Sequence, residues 1–525
     1  MPTHFLRAAS WLAIILGAMH GVRVAAGEAD APRDKAQNTG TALAANMDSK
    51  SLLEALRALP ATERNAILVQ LEQDFPGYLK LPEHMKLSKD SAEEEAPPAS
   101  QKKDDEAKHE PEKWSMHYQG TAISQMHDKF HSPYESHTTS LLTEEGSEVK
   151  TSVTGTFYFG RKLWEGGEAY FDAELAGGKG FSGVTGIAGF PNGDITRVGK
   201  PPPTIYAARF FLRQTFNLGG EKEDVEGAAN QLAGTRDEKH LVITLGKMAA
   251  TDIFDDNKYS HDPRGQFMNW SLMDNGAWDY AADTRGYTPG LAIEYEQKGW
   301  ALRYGALAVT KSANGAEFDY SLDRALSHNF EFEKSYTICS KEGSTKLLAY
   351  ANNAFMGSYR EAVQEAAAAS AVPDIKSTRA YRTKYGFGIN SEQKIFDDLG
   401  AFARAGWNDG HSETWMFTEI DRTFSLGLSL TGKRWKRPND TIGFAGVVNG
   451  ISNAHQAYLR AGGSGFIVGD GRLNYSTEKI LETYYKLGMT KSLFLTLDYQ
   501  HIESPAYNRD RGPVNVGGVR FHVEF

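Results

Sequence analysis

The stretch that decides the fold is VRFHVEF, residues 519–525. Its side chains alternate strictly between an apolar set, Val519, Phe521, Val523 and Phe525, and a polar set, Arg520, His522 and Glu524. Because successive side chains of a strand point to opposite faces, this segment has one apolar face and one charged face. That pattern is typical of a strand in an outer-membrane β-barrel, with lipid on one side and a watery lumen on the other. The alternative is an amphipathic edge strand of a soluble sheet.

Composition favours the barrel over a helical membrane protein. Hydrophobic residues make up 40% of the chain, charged residues 24%, and the mean hydropathy is -0.47. Beyond the N-terminus no apolar run approaches the ~18 residues of a spanning helix, so any membrane passage must use strands. The 52 glycines and 27 phenylalanines suit short strands, turns and aromatic girdles, although a large soluble β-sandwich has similar counts. The net charge of -10 argues against nucleic acid as a partner.

The N-terminus predicts export. His4 and Arg7 precede an apolar core over residues 8–19, and small residues follow at positions 24–27. This core is too short for a stop-transfer helix, so residues 1–27 predict a cleaved signal peptide, with an uncleaved anchor as the alternative. Export combined with an amphipathic terminal strand predicts the outer membrane of a Gram-negative bacterium, with its lipid as a partner. The single cysteine, Cys339, excludes an internal disulfide.

The segment after the signal peptide predicts a short helical extension over residues 28–79. Its apolar residues recur at helical spacing on both sides of a proline, at Leu52, Leu53, Leu56 and Leu59, then Ile67, Leu68, Leu71 and Phe75. Residues 80–113 are rich in Glu, Lys, Asp and Pro and predict a solvated linker. The extension is interpreted either as a periplasmic contact, with peptidoglycan, a partner or a second copy, or as a tether without a role of its own.

From Trp114 to Phe525 the apolar period is two, which predicts an antiparallel barrel domain of about sixteen strands. Predicted starts lie near residues 114, 150, 166, 205, 239, 287, 300, 329, 345, 381, 399, 424, 441, 479, 492 and 514. The connections alternate between long and short, as they do when external loops alternate with periplasmic turns. One stretch, residues 219–238, is long where a short turn is expected, so it indicates either a miscount or an insertion on the periplasmic side.

Residues 249–286 form the most unusual connection because they combine many acids with many aromatic rings. A loop of this length is typical of a functional element, and in a wide barrel it can fold inward. Aromatic faces beside carboxylate, amide and guanidinium groups suit a sugar, whose C–H face packs on a ring while its hydroxyls form hydrogen bonds. The alternative is that the same rings pack the loop against itself and the wall. The candidates in this loop are Asp262, Arg264, Asn269, Trp270, Asp274, Asn275, Trp278, Asp279 and Arg285.

Two blocks then carry a specific resemblance. TDIFDDNKYSHDPRGQFMNWSLMDNGAWDYAADTRGYTPGLAIEY (residues 251–295) and SPAYNRDRGPVNVGGVRFHVEF (residues 504–525) resemble the most distinctive blocks of the OprB-type carbohydrate-selective porins. The layout of the strands between them is similar, so the resemblance extends over about residues 114–525. It implies a sixteen-stranded barrel through which monosaccharides such as glucose diffuse passively, with long loops folded into the channel.

Strand alternation predicts further lumen residues, independently of the resemblance. An arginine facing lipid at mid-membrane costs ~2–4 kcal/mol, so polar members of alternating strands should point inward. This argument selects Arg209, Arg213, Glu331, Glu333 and Arg382. Opposed basic and acidic rows would narrow the lumen and orient polar solutes, although simple solvation of a water-filled interior is the alternative.

The sequence therefore predicts an outer-membrane channel for small carbohydrates, without catalysis and without a cofactor or metal. No GxSxG elbow or HExxH helix is present in the sequence. His127, His131 and His137 share one loop but lack a spacing that would fix a metal site. The alternative function is a polysaccharide-export or general-diffusion channel of the outer membrane.

Overall fold

The computed structural model of the protein describes residues 111–143, 146–195 and 203–525. Within these ranges, sixteen antiparallel strands close into one barrel, and two further strands form a separate hairpin. The predicted signal peptide, the predicted helical extension and nearly all of the predicted linker lie outside the described residues, so those three assignments stay predictions.

The barrel strands are numbered with the hairpin in chain order. They are β1 (Trp114–His127), β2 (Glu148–Trp164), β3 (Gly167–Gly178), β4 (Thr204–Asn217), β7 (His240–Met248), β8 (Thr288–Gln297), β9 (Trp300–Ala308), β10 (Leu326–Ile338), β11 (Lys341–Met356), β12 (Ala380–Lys394), β13 (Leu399–Asn408), β14 (Arg422–Thr431), β15 (Thr441–Gly450), β16 (Glu478–Gly488), β17 (Leu493–Glu503) and β18 (Val514–Glu524). The hairpin is β5 (Lys222–Val225) with β6 (Gly234–Asp237). Each barrel strand starts within four residues of its predicted position, and the predicted fold class is confirmed.

The first and last strands form the seam of the barrel. β1 pairs with β18 from Gln119 opposite Glu524 to His127 opposite Val516. Beyond the last pair of the ladder, the Phe525 amide donates to the Tyr118 carbonyl at 3.0 Å and the Tyr118 amide donates to the Phe525 carbonyl at 2.8 Å. The alternating terminal segment that predicts a strand is therefore the segment that closes the sheet, and closure satisfies backbone groups that an open edge would leave unpaired.

The two faces of the wall differ as the alternation predicts. On β18 Phe521 is exposed on the outside, whereas its neighbour Arg520 is fully buried on the inside. On β3 Phe171 is exposed and Asp172 is 0% exposed. Outward apolar side chains of this kind occur on strands all around the barrel, and a bilayer is the environment that solvates such a belt.

Long and short connections alternate at the two ends. We call the end with the long connections the outer end and the end with the short turns the inner end. Residues 128–147, 179–203, 249–287, 357–379 and 451–477 connect strands at the outer end, whereas turns such as 298–299 and 339–340 lie at the inner end. Residues 218–239 belong to the inner end and contain the β5–β6 hairpin, so the irregularity in the sequence pattern is an insertion.

Short helices occur within the long connections. They are α1 (Trp270–Met273), α2 (Tyr359–Ala369) and α3 (Asn453–Arg460). Each begins after a side chain that caps it: Asn269 accepts from the Ser271 amide, Ser358 from the Glu361 amide and Ser452 from the His455 amide. In the described part of the chain, none of the helices is both long enough and apolar enough to cross a membrane.

Candidate channel constriction

The connection between β7 and β8, residues 249–287, is folded into the barrel, and we call it the constriction loop. Most of its side chains are buried, including Phe254, Phe267 and Trp278, which are fully buried. A connection that simply covered the outer end would leave much of this surface in water. Burial of this extent means that the loop fills part of the lumen and packs on the inner wall.

One side of the wall holds the loop through β16 and β18. The Glu482 carboxylate accepts from the Met268 amide at 2.6 Å and from the Asn269 amide at 3.0 Å. Nη1 of Arg520 donates to the carbonyls of Pro263 and Gln266 at 2.7 and 2.8 Å. These charged wall residues pair with backbone groups that would otherwise be unsatisfied inside the barrel.

A second part of the wall holds the loop through β10, β12 and β13. Nε of Arg404 lies 3.0 Å from Oδ2 of Asp255, and its Nη2 donates to the Ser260 carbonyl at 2.6 Å. Nδ2 of Asn390 donates to Oδ1 of Asp255 at 2.9 Å. Glu331 accepts from the Asp255 amide at 2.8 Å. The Asp255 carboxylate is therefore paired with Arg404 and accepts from Asn390, while the Asp255 amide donates to Glu331. These contacts fix this part of the loop.

A third attachment joins the loop to the outer connections. Asp279 is 0% exposed and accepts from the amides of Trp415 and Met416 at 2.9 and 2.8 Å. Lys384 on β12, also fully buried, lies 3.3 Å from the same carboxylate. With three sets of attachments, the constriction loop is a fixed part of the lumen.

The space that the loop leaves open on its outer side is a cavity of about 300 Å³, which we call the outer cavity. One side is aromatic: the Trp270 ring stacks on Phe190 at 4.9 Å between centroids and lies 5.3 Å from Phe417 and 5.9 Å from Tyr280. These rings come from three different connections, so the aromatic surface exists only when the outer loops are folded together.

The other side of the outer cavity is charged. Arg264 donates to Asp194 at 2.6 Å, to Thr156 at 2.9 Å and to Glu174 at 3.0 Å. The Arg285 guanidinium lies 3.8 Å from the centroid of the Tyr206 ring. The cavity thus presents ring faces opposite a set of hydrogen-bonding groups that are held in place by one another.

A larger cavity of about 810 Å³, the inner cavity, opens toward the inner end. Tyr158, Arg209 and Asp252 line both cavities and so mark the boundary between them. Arg209 donates to Asp252 through Nε at 2.7 Å and Nη2 at 2.6 Å, and its Nη1 lies 3.3 Å from Asp172. About a third of the Asp252 side chain stays exposed, at 34%. We call Tyr158, Arg209 and Asp252 the constriction.

Among the groups of the constriction loop whose pKa values are shifted by their surroundings are Asp252 and His261. Burial disfavours the charged form of Asp252, but the charge and hydrogen bonds of Arg209 outweigh it and lower the pKa of this carboxyl. Burial also disfavours the His261 imidazolium, but the Asp274 carboxylate 3.3 Å away raises the pKa of His261 to about 9. Both side chains therefore carry charge at neutral pH, each beside a group of opposite charge.

Comparison with known proteins places this architecture in a family. The family model described as "Carbohydrate-selective porin, OprB family" matches residues 159–525, more than two thirds of the chain. The chain belongs to the OprB family. The sequence resemblance is confirmed, although the matched region begins later than the predicted residue 114. The family is one of outer-membrane channel proteins, and the barrel observed here has the corresponding fold.

Two relatives illustrate the range of similarity. The superposition on OprB of Pseudomonas putida, in a structure determined at high pH, covers 79% of this chain and 94% of the OprB chain. The sequence identity is 16% and the TM-score is 0.58. Porin AaxA of Chlamydia abortus is 24% identical over 288 residues. The match covers 54% of this chain, and the chain spans about half the length of this relative, 54% of the Porin AaxA sequence. The first comparison supports the fold of this OprB-family chain and the second its relation to porins.

The predicted site residues separate into groups with different surroundings. Those that line the outer cavity are Arg209, Asp262, Arg264, Trp270 and Arg285, while Arg213 lines the inner cavity. Those that are buried between the loop and its neighbours are Asn269, Asp274, Asn275, Trp278, Asp279 and Glu331. Glu333 lines a third cavity of about 440 Å³ at the inner end, and Arg382 contacts Glu361 of α2 at 2.5 Å.

Four of the five residues in the predicted charged rows pair with a close neighbour of opposite charge, whereas Arg213 donates to the Asn230 carbonyl. Nη1 of Arg303 on β9 lies 3.0 Å from Glu331 and 2.7 Å from Glu333 on the next strand. Arg209 is engaged by Asp172 and Asp252, as described above. Local pairing within the wall therefore neutralises much of the charge that the alternation predicts for the lumen.

Sequence reasoning did not select several residues of this region. Asp172 and Glu174 alternate with Phe171, Ala173 and Leu175, and this polar face is a signal that could have selected them as lumen residues. Asp252 was one acid among many in its loop, and only folding brings it to Arg209. Tyr158 lies at the constriction without any distinguishing sequence pattern.

Proposed function

We propose that this OprB-family chain is a passive channel of the Gram-negative outer membrane that admits monosaccharides such as glucose. It acts without catalysis and without a bound cofactor. The observation that carries the proposal is the outer cavity, where the aromatic side around Trp270 faces the arginines and leads to the constriction. Stacking on the ring and hydrogen bonds from Arg264 and Arg285 match the two surfaces of a pyranose.

The dimensions favour small sugars over polymers. A volume of about 300 Å³ is at the lower end of the ~300–1,000 Å³ range of small-molecule sites. Beyond it, a solute must pass Tyr158, Arg209 and Asp252. A polysaccharide-export channel would require a continuous wide lumen, and a fixed loop across the barrel opposes that alternative.

The charge arrangement favours neutral solutes. Arg209, Arg264 and Asp252 are each engaged by a partner of opposite charge, so a charged solute must compete with an existing ion pair. A sugar hydroxyl both donates and accepts, and can bind beside these pairs without breaking them. Such binding is weak, as transport requires, because a tightly held solute could not leave.

Liposome swelling tests the proposal. Purified protein is reconstituted, and swelling rates are compared for glucose, sucrose and gluconate, the last a charged solute close to glucose in size. We expect glucose to enter fastest, with sucrose limited by size and gluconate limited by charge. Equal rates for glucose and gluconate would remove selectivity and leave a general-diffusion channel.

A variant links the selectivity to the constriction. Asp252→Ala removes one of the two carboxylates that engage Arg209 and shortens the side chain at the constriction, so we expect faster entry of both sucrose and gluconate relative to glucose. Asp397→Ala, in an inner-end turn where this side chain is 74% exposed, is the matched control and should keep wild-type rates. If Asp252→Ala keeps wild-type ratios in folded protein, these three residues do not determine selectivity.

The proposed location and N-terminal assignments have separate tests. We propose that residues 1–27 direct export and are removed, and that residues 28–79 contact a periplasmic component such as peptidoglycan. Mass spectrometry of protein from the outer-membrane fraction determines the mature N-terminus. Pull-down on purified peptidoglycan, with and without residues 28–79, tests the contact.

A further inference from the structure

The inner-end insertion, residues 218–239, reaches into the lumen instead of extending away from it. Between β5 and β6 the chain forms a tight loop in which Ala228 and Gln231 are bridged, and we call residues 226–233 the insertion loop. Leu232 in this loop is 5% exposed, and its amide donates to the hydroxyl of Tyr170 on β3 at 3.2 Å. Residues 228–236 contribute one side of the inner cavity.

Asn230 makes the contacts that matter most. Its Nδ2 donates to Oδ2 of Asp172 at 2.8 Å, and its carbonyl accepts from Nη1 of Arg213 at 2.8 Å. Asp172 and Arg213 lie on the lumen faces of β3 and β4. Asn230 has a φ of 58°, in the left-handed region that asparagine and glycine tolerate best. The loop backbone is therefore shaped to direct this amide at the wall.

A second set of contacts joins the insertion loop to Glu112, which also lines the inner cavity. The Glu112 amide donates to the Ala233 carbonyl at 2.9 Å, and the Ala233 amide donates to the Glu112 carboxylate at 2.9 Å. This reciprocal pair joins the loop to the segment that leads into β1. The loop is thus attached at two places, and its position relative to the wall is fixed.

The insertion loop connects directly to the constriction. Oδ2 of Asp172, which accepts from Asn230, is also the atom 3.3 Å from Nη1 of Arg209. The other nitrogens of Arg209 hold Asp252. We infer that Asn230 is a positioning residue for selectivity: by holding Asp172, it keeps Arg209 directed at Asp252, and the insertion loop acts as a second narrow point in series with the constriction. This inference rests on the constriction proposed above.

The physical reason lies in the buried carboxylate. Asp172 is 0% exposed, and a charge so placed needs its donors. A hydrogen bond to a charged group is worth enough to change a local equilibrium by about tenfold or more. Without the Asn230 amide, Asp172 attracts the Arg209 guanidinium more strongly. The two hydrogen bonds from Arg209 to Asp252 then weaken. As a result, the Asp252 carboxylate becomes available to ions in the lumen. The same change removes side-chain volume from the inner cavity.

Asn230→Gly tests the inference without straining the backbone, since glycine tolerates the same φ. We expect a higher single-channel conductance in potassium chloride, a reversal potential displaced toward cation selectivity, and a sucrose-to-glucose swelling ratio that rises several-fold. Gln231→Ala is the volume control within the same loop, because it also removes side-chain volume from the inner cavity, whereas its side-chain amide donates to the Glu226 carbonyl and not to Asp172. It should keep the wild-type reversal potential and change conductance less than Asn230→Gly does.

Asn230→Asp separates positioning from volume. It preserves size and tolerates the left-handed backbone, but it replaces the donor with a carboxylate beside Asp172. If positioning is the cause, Asn230→Asp weakens the hydrogen bonds between Arg209 and Asp252 as Asn230→Gly does, and conductance rises. If only Asn230→Gly alters conductance, or if Gln231→Ala has the same effect, the positioning role is overturned. Heat-modifiable migration in gels establishes that each variant is folded.

The outcomes also distinguish this inference from the proposed function. Conductance and reversal potential are measured in salt alone and need no sugar selectivity. If the wild type fails to discriminate glucose from gluconate while Asn230→Gly still changes conductance, the sugar proposal fails and the positioning role stands. If the wild type discriminates glucose from gluconate and Asn230→Gly leaves conductance and reversal potential unchanged, the positioning role fails and the sugar proposal stands.

Discussion

Arg404 is the single wall residue whose loss should most affect the constriction loop. It lies on β13, is 1% exposed, and donates to the carbonyls of Leu272, Asp255 and Ser260 at 3.0, 3.1 and 2.6 Å. Its Nε is 3.0 Å from the Asp255 carboxylate. Arg404→Met keeps much of the side-chain volume while it removes every one of these donors.

The magnitude follows from the carboxylate that remains. Removing one member of a buried ion pair costs about 3–5 kcal/mol, because the other charge stays buried. Since every 1.4 kcal/mol is about tenfold, the ratio of docked to released loop falls by about two to four orders of magnitude. Asn390 and the Asn275 amide still donate to Asp255, which places the expected cost toward the lower end of that range. The barrel itself, held by its strand ladders, should still form.

Planar-bilayer recording and liposome swelling measure the effect. For Arg404→Met we expect larger and noisier single-channel currents, together with entry of sucrose that the wild type restricts. Arg434→Met is the matched control, because Arg434 pairs with Asp398 at the inner surface, where an exposed ion pair contributes little. Quiet currents of wild-type size, with sucrose still restricted, would refute the reasoning that this arginine holds the loop.

Three further predictions follow from the same structure. Trp270→Ala removes a ring from the outer cavity and should lower glucose flux more than salt conductance. Trp278→Ala empties a fully buried site at a cost of about 3–5 kcal/mol in stability, so glucose flux and salt conductance should change together. His261 has a pKa of about 9 in the folded protein, above its unfolded value of about 6.5, so its ion pair with Asp274 stabilises the docked loop fully below about pH 6.5 and is lost as the pH rises through 9. Current noise should therefore increase as the pH passes 9, and His261→Gln should abolish this pH dependence. Leu426→Arg, on the lipid face at the middle of β14, should destabilise the barrel by about 2–4 kcal/mol in urea unfolding from vesicles, against about 0–1 kcal/mol for Phe396→Arg near the interface.

The strands were predictable because their signal is local. A period of two over eight or more residues identifies a strand and its two faces, and the cost of a charge in lipid decides which face points inward. Arg209 and Arg213 follow from this reasoning alone. The break in the alternation of long and short connections at residues 219–238 was visible in the sequence, but only the structure decided between a miscount and an insertion.

The site was predictable only in part, because its contacts join distant segments. The loop that enters the lumen was identified by length and composition. Which of its rings meets the cavity depends on how it docks: Trp270 lines the outer cavity, whereas Trp278 packs against the wall and donates to Asn329 at 3.0 Å. Both belong to the same loop, and no periodicity within it distinguishes them.

By itself, the sequence determined the strands and which face of each is apolar, and it favoured a closed sheet in a membrane, since alternation and the energetic cost of exposed backbone and charge in lipid act residue by residue. Only the tertiary structure decided where the lumen narrows. Asp252 meets Arg209 across 43 positions, and Asn230 meets Asp172 across 58. These pairs form because barrel closure brings the constriction loop and the inner-end insertion to the same stretch of wall, and buried charges are stable only where such partners converge.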